Sequence, residues 1–214
     1  MTEAAARSPR ERYRLQMQAE IKQCAWEQIA TDGASSLSLN AIAKQMGMSG
    51  PALYRYFAGR DELISALIRD AYRSLADTLR AVRDEGADAA GIAFAARDWA
   101  LADPHRYFLV YGTPIPGYRA PEDTTAITQE IMATLVEAFA DLPAVEPTTP
   151  LDADLERHRH WAPADSDPAV LHRALSFWTR THGVLSLELA GHFTGMGFDA
   201  ALLFADEVNG LLAR

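Results

Sequence analysis

Cysteine is nearly absent: Cys24 stands alone in 214 residues, so no disulfide can form within the chain. It falls on the apolar stripe Met17, Ile21, Cys24, Ala25 and Ile29, which predicts a packing role, with a redox-sensing thiol as the minor alternative. No apolar run approaches the roughly 20 residues that cross a bilayer. The opening stretch, with Glu3, Arg7, Arg10 and Glu11, lacks the apolar centre of a signal peptide. These absences predict a cytoplasmic protein with no membrane partner. A Gly-x-Ser-x-Gly elbow, a phosphate-binding glycine loop and a His-Glu-x-x-His pair are missing too. No catalytic residue and no cofactor is therefore assigned, and an enzyme is not expected.

Apolar residues are plentiful, at 49%, enough for one large or two small cores. The net charge of −9 argues against a nucleic-acid partner until it is divided along the chain. Residues 1–60 hold eight basic groups against five acidic ones, a balance of +3, and residues 61–214 hold 12 against 24, a balance of −12. Attraction to phosphate is local to the facing surface, so a basic end on an acidic body can still dock on DNA, approaching from one direction.

Periodicity predicts helices throughout. A first helix runs from Arg10 to Asp32, stopped by Gly33, with a basic N-terminus suited to tracking phosphates. Ser38 is placed to cap a second helix that continues through Met46. Gly47 lets the chain turn, Ser49 caps a third helix beginning near Gly50, and Pro51 sits in its first turn. Ile42, Met46, Leu53 and Phe57 then point inward, and Tyr54, Arg55 and Tyr56 fall near the outer edge. This is a helix-turn-helix. A helix entering the major groove needs small residues at its start, donors in its middle and flanking cations, which Gly50, Pro51, Ala52, Tyr54, Tyr56 and Arg60 supply in order. Asn40 suits a base edge, and Ser38, Lys44 and Tyr56 suit phosphate. Tyr54 has two readings, contact with DNA or packing against the first helix. With Asn40 and Arg55 as the two side chains of strong base preference, specificity rests partly on DNA shape.

The pattern Ile-Ala-x-x-Met-Gly-Met-Ser-x-x-x-Leu-Tyr-x-Tyr-Phe-x-x-Arg-Asp-Glu-Leu stands at Ile42 to Leu63, and residues 12–63 resemble the N-terminal domain of TetR-type transcriptional regulators. The resemblance implies contacts to bases or backbone from Ser38, Asn40, Gly50, Pro51, Ala52, Tyr54, Arg55, Tyr56 and Arg60; Lys44 and Ser49 join them on chemistry and position.

A fourth helix, from Arg60 to about Arg83, carries Leu63, Leu67, Ala71, Leu75 and Leu79 on one stripe and links the head, 1–60, to the body, 84–214. Further helices are predicted over 87–101, 105–111 and 122–140, with a short one inside 151–164 and breaks at 113–117 and 143–150. Two closing helices, 168–194 and 199–212, spread apolar residues over more than one face. They are the predicted homodimer interface, a four-helix bundle with two helices from each chain. The fold class is thus all-α: a three-helix DNA-binding head and a helical ligand-binding and dimerisation body.

Two stretches, Arg106 to Tyr118 and Trp178 to Val184, resemble the TetR-type subgroup whose C-terminal domain carries a Trp, His and Gly signature, leaving 141–166 unmatched. That resemblance implies a small-molecule effector whose binding weakens DNA affinity. The candidate pocket residues are Trp99, Phe108, Tyr111, Trp178, His182 and Phe193, each with the alternative of plain core packing. The competing function is a metal-binding sensor or enzyme using His182, Glu188 and His192. Only the last two share a helical face, since the six-residue step from 182 to 188 turns His182 away.

Overall fold

The computed structural model describes residues 8–112, 122–140 and 149–213; Arg7 and the predicted breaks at 113–117 and 143–148 lie outside them. The described residues form ten α-helices and two short 3-10 turns, with no strand. Two compact units divide the chain inside one helix, between Asp70 and Ala71.

The first unit begins with α1 (Pro9–Asp32). Its start is fixed by a capping box: the Ser8 hydroxyl accepts the Glu11 N–H, the Glu11 carboxylate accepts the Ser8 N–H, and Pro9 fills the first turn, where no N–H is needed. Ile21, Ala25 and Ile29 form the buried face. Cys24 is half-buried, and burial followed by the charge of Glu27 pushes its thiol up, which favours packing over redox chemistry.

Helix α2 (Leu39–Gln45) is capped by the Ser38 hydroxyl, which accepts the Ala41 N–H, and it buries Leu39, Ile42 and Ala43. It ends one residue before the expected Met46, which is only half-buried. Gly47 adopts φ +65°, so that its N–H reaches the Lys44 carbonyl and the Met48 N–H the Ala43 carbonyl, the paired closure that a left-handed residue permits. Helix α3 is a single turn, Gly50–Leu53, extended by the turn through Tyr56, with Leu53 and Phe57 buried beneath it. Ser49 caps it through its backbone carbonyl rather than its hydroxyl.

Helix α4 (Arg60–Asp84) runs across the division between units, with all five predicted stripe residues buried. In the second unit it is followed by α5 (Ala89–Ala102), α6 (Pro104–Tyr111), α7 (Glu122–Ala140), α8 (Pro150–Arg157), α9 (Pro168–Leu189) and α10 (Ala200–Leu212). One apolar core, containing Leu79, Ile92, Tyr107, Ile131, Phe139, Phe177 and Phe204, holds them together. Arg73 grips Glu130 with two hydrogen bonds of 2.6 and 2.9 Å, and Arg80 meets Glu137 at 2.9 Å one heptad on, tying α4 to α7 at the surface. Gly112 closes α6 where a Cβ would sit 2.4 Å from the Phe108 carbonyl oxygen.

Helix α9 ends at Leu189, five residues short of the predicted end at 194, because Gly191 at φ +77° carries the chain into a turn through Gly197. Within the stretch left unmatched above, residues 150–157 make α8, whose buried Asp152 meets His172 of α9 at 2.7 Å.

Candidate nucleic-acid interface and cavity

In the first unit the sequence-predicted residues separate into two groups. Asn40, Lys44, Ser49, Pro51, Tyr54 and Arg55 are exposed, and Tyr54 retains 48% of its surface, which sets aside its packing against α1. Ser38, Gly50, Ala52, Tyr56 and Arg60 are half-buried. The Asn40 amide oxygen lies 3.8 Å from where a Gly50 Cβ would be, so α2 and α3 bring a polar amide and a glycine together at one edge. Ser38 spends its hydroxyl on its own helix, and its N–H donates to Gln28. Tyr56 is held by its carbonyl, which accepts from the Gln18 amide at 3.4 Å.

Arg60 departs from the expectation. Its Nε donates to the Leu37 carbonyl at 3.2 Å and one terminal nitrogen to the Ala34 and Ser35 carbonyls at 2.9 and 3.1 Å. The guanidinium therefore closes the open carbonyl end of the 3-10 turn Ala34–Ser36 and is not a free cation for phosphate. No spacing rule marks a residue 23 positions away as the cap of a turn.

The second unit contains a cavity with about 300 Å³ of empty space, part of it open to solvent. Ile92, Ala93 and Ala96 of α5 and Leu135 of α7 form one side, and Phe177, Trp178, Thr181, His182 and Leu185 of α9 with Phe204 of α10 form the other. The His182 ring lies 4.0 Å from that of Trp178 and 4.4 Å from that of Tyr111, while its Nδ1 is 3.0 Å from the hydroxyl of buried Tyr107. That hydroxyl also meets the Ser186 hydroxyl at 2.6 Å. Burial lowers the His182 pKa to about 4, so the ring is neutral at pH 7. The same cause raises the phenols of Tyr107 and Tyr111, which keep their protons.

Of the six predicted pocket residues, Trp178 and His182 line the cavity and Tyr111 packs on both. Phe108 is one layer removed, against Tyr107. Trp99 is outside the wall, its indole N–H donating to the Ser74 hydroxyl at 3.1 Å with Arg106 over its ring. Phe193 is also outside, because the early end of α9 sends it to Phe198, with ring centroids 5.3 Å apart. Tyr107, Ser186, Phe177 and Phe204 are absent from the sequence-based set. Tyr107 lies in the aromatic stretch beginning at Arg106, but helical spacing gives no reason to prefer it over Phe108.

The expected metal trio does not assemble. Glu188 makes a two-point ion pair with Arg97 at 2.5 and 3.1 Å, with the two side chains only 13–15% exposed; His182 faces Tyr107; and His192 is exposed beyond the helix end. Among the described residues no cluster of His, Cys, Asp and Glu has metal-ligand geometry, and no helix is long and apolar enough to cross a membrane.

Residues 23–67 match the family described as bacterial regulatory proteins, tetR family, and residues 89–211 match the tetracyclin repressor-like C-terminal domain, a span that takes in 141–166 as well. HTH-type transcriptional regulator Rv1816 of Mycobacterium tuberculosis (strain ATCC 25618 / H37Rv) is 34% identical over 216 residues, covering 94% of this chain and 92% of that protein. The crystal structure of SCO4313, a regulatory protein by name, is 65% identical with a TM-score of 0.92, over 97% of this chain and 100% of the other. The fatty acid degradation regulator FadR of Bacillus halodurans, at 14% identity and TM-score 0.59 over 91% and 97% of the two chains, is alike in fold alone. Fold and interface together define a helix-turn-helix, DNA-binding transcriptional regulator, not an enzyme. The chain belongs to the TetR family.

Proposed function

We propose that this regulator is a cytoplasmic, ligand-responsive repressor. Two copies, packed through α9 and α10, bind a short palindromic operator with half-sites ~34–36 Å apart or a multiple of that distance. A small organic effector held by the second unit lowers operator affinity by favouring a different separation of the two recognition modules. Helix α4, which contributes residues to both units, is the route of that coupling.

The observation carrying the reading is the exposed polar row Asn40, Lys44, Tyr54 and Arg55 around Gly50 and Pro51, in a module matched to a DNA-binding family. Leu187 of α9 at 45% exposure and Leu202 of α10 at 70% support pairing of copies through these helices, since an apolar strip gains by being covered. The cavity beside Trp178 and His182 supports the effector.

The test is a mobility-shift titration with DNA from the protein's own promoter at moderate salt, against excess unrelated DNA. A repressor gives a sequence-specific shift that the Asn40→Ala, Arg55→Ala double variant loses. Equal binding to unrelated DNA, or an unchanged shift in the variant, removes the operator-binding reading.

A further inference from the structure

The effector cavity has a definite chemical character. Its roughly 300 Å³ of empty space is about twice the ~150 Å³ void that holds one benzene. No lining residue carries a charge. Thr181 spends its hydroxyl on the Phe177 carbonyl at 2.8 Å, and Arg97, on α5, is held by both oxygens of Glu188. His182 is left as the polar group of the wall: Nδ1 is engaged by Tyr107, and Nε2 is the ring nitrogen with no hydrogen-bond partner among the described residues.

Resting on the effector reading above, we infer that this cavity takes an uncharged, largely aromatic molecule of about two fused rings with one hydrogen-bonding group opposite His182, and that it rejects a carboxylate of the same shape. A buried carboxylate is retained only where a cation or several donors meet it, and here it meets aliphatic carbon, aromatic faces and one imidazole. Because burial keeps that imidazole neutral down to about pH 4, it offers no cation at pH 7.5. A neutral hydroxyl or carbonyl satisfies the free ring nitrogen, and Trp178 with Phe177 supplies faces for the rings.

The experiment is isothermal titration calorimetry on the full-length protein at pH 7.5 with two probes of one skeleton, 2-naphthol and 2-naphthoate. We expect 2-naphthol to bind and 2-naphthoate to bind at least tenfold more weakly. His182→Phe should weaken 2-naphthol by about three- to tenfold, the value of one neutral hydrogen bond. Ala93→Leu, or Ala96→Leu if the first does not fold by circular dichroism, fills the space and should abolish binding. Equal or tighter binding of 2-naphthoate, abolished by the same filling variant, overturns the uncharged class while the cavity stands as a binding site. Unchanged 2-naphthol affinity in His182→Phe overturns the role of that ring. Binding of neither probe, or binding indifferent to the filling variants, overturns the cavity itself as a site.

Discussion

Replacing Arg60 by alanine separates a structural cation from a DNA-contacting one. The side chain donates three hydrogen bonds to carbonyls of the turn at residues 34–37, one from Nε and two from a terminal nitrogen. Hydrogen bonds from a charged donor contribute about 1.5–3 kcal/mol when well buried, but this guanidinium is 31% exposed and water can reach part of what it leaves. The expected loss for the whole set is about 1–3 kcal/mol. In a chain of this length that lowers the unfolding midpoint by about 2–4 °C for each kcal/mol, read by circular dichroism. Arg60→Lys keeps the charge but not the fork and should recover less than half. Operator binding, measured below the transition across a salt series, should keep its dependence on salt, because no phosphate contact is lost. Lys44→Ala or Arg55→Ala should instead make the slope of log K against log salt less steep by about 0.9 per contact. An Arg60→Ala protein of unchanged stability whose slope falls by about 0.9 would refute the reasoning and return Arg60 to the phosphate surface.

Tyr107→Phe removes the hydroxyl shared by His182 and Ser186, leaving buried polar atoms unpaired, and should cost about 1–3 kcal/mol in urea unfolding with the backbone unchanged. Because the folded-state pKa of His182 lies near 4, below its ordinary 6.5, the unfolded chain binds more protons between those values. Its contribution is therefore fully present above about pH 6.5 and declines as pH falls toward 4, by up to roughly 3 kcal/mol, and His182→Gln should flatten that part of the stability–pH curve. Gly183, exposed in the middle of α9 with nothing within 4 Å of where a Cβ would sit, tolerates a side chain within one protomer. Gly183→Leu should leave the unfolding of a protomer nearly unchanged but weaken self-association in sedimentation at decreasing concentration; an unaltered dimer would place the pairing surface elsewhere.

Much of this fold is written in local pattern. Helix α4 is legible because Leu63, Leu67, Ala71, Leu75 and Leu79 recur at helical intervals and all are buried. The turn between α2 and α3 is legible because Gly47 needs a left-handed backbone that few other residues adopt at low cost. Legibility fails where a contact joins residues far apart in sequence. Arg60 reads as one more cation of a basic head, yet its partners lie 23 to 26 positions upstream. Glu188 reads as a metal ligand beside two histidines, yet its partner Arg97 is 91 positions away. The apolar pattern overextends α9 because Ala190 to Phe193 continue it, while Gly191 ends the helix through its dihedral angle. In the cavity, Trp178 and His182 are legible because an i, i+4 pair shares a face. Tyr107 is not, because what distinguishes it is a hydroxyl reaching another helix.

The bond between Arg97 and Glu188 constrains how this protein can drift. Deleting either member alone strands a full charge where water scarcely enters, a change of about 3–5 kcal/mol, whereas exchanging both for well-packed apolar side chains is close to neutral. Positions 97 and 188 are thus expected to change together or not at all, and a designer recasting the wall beside Phe204 must treat them as a single unit.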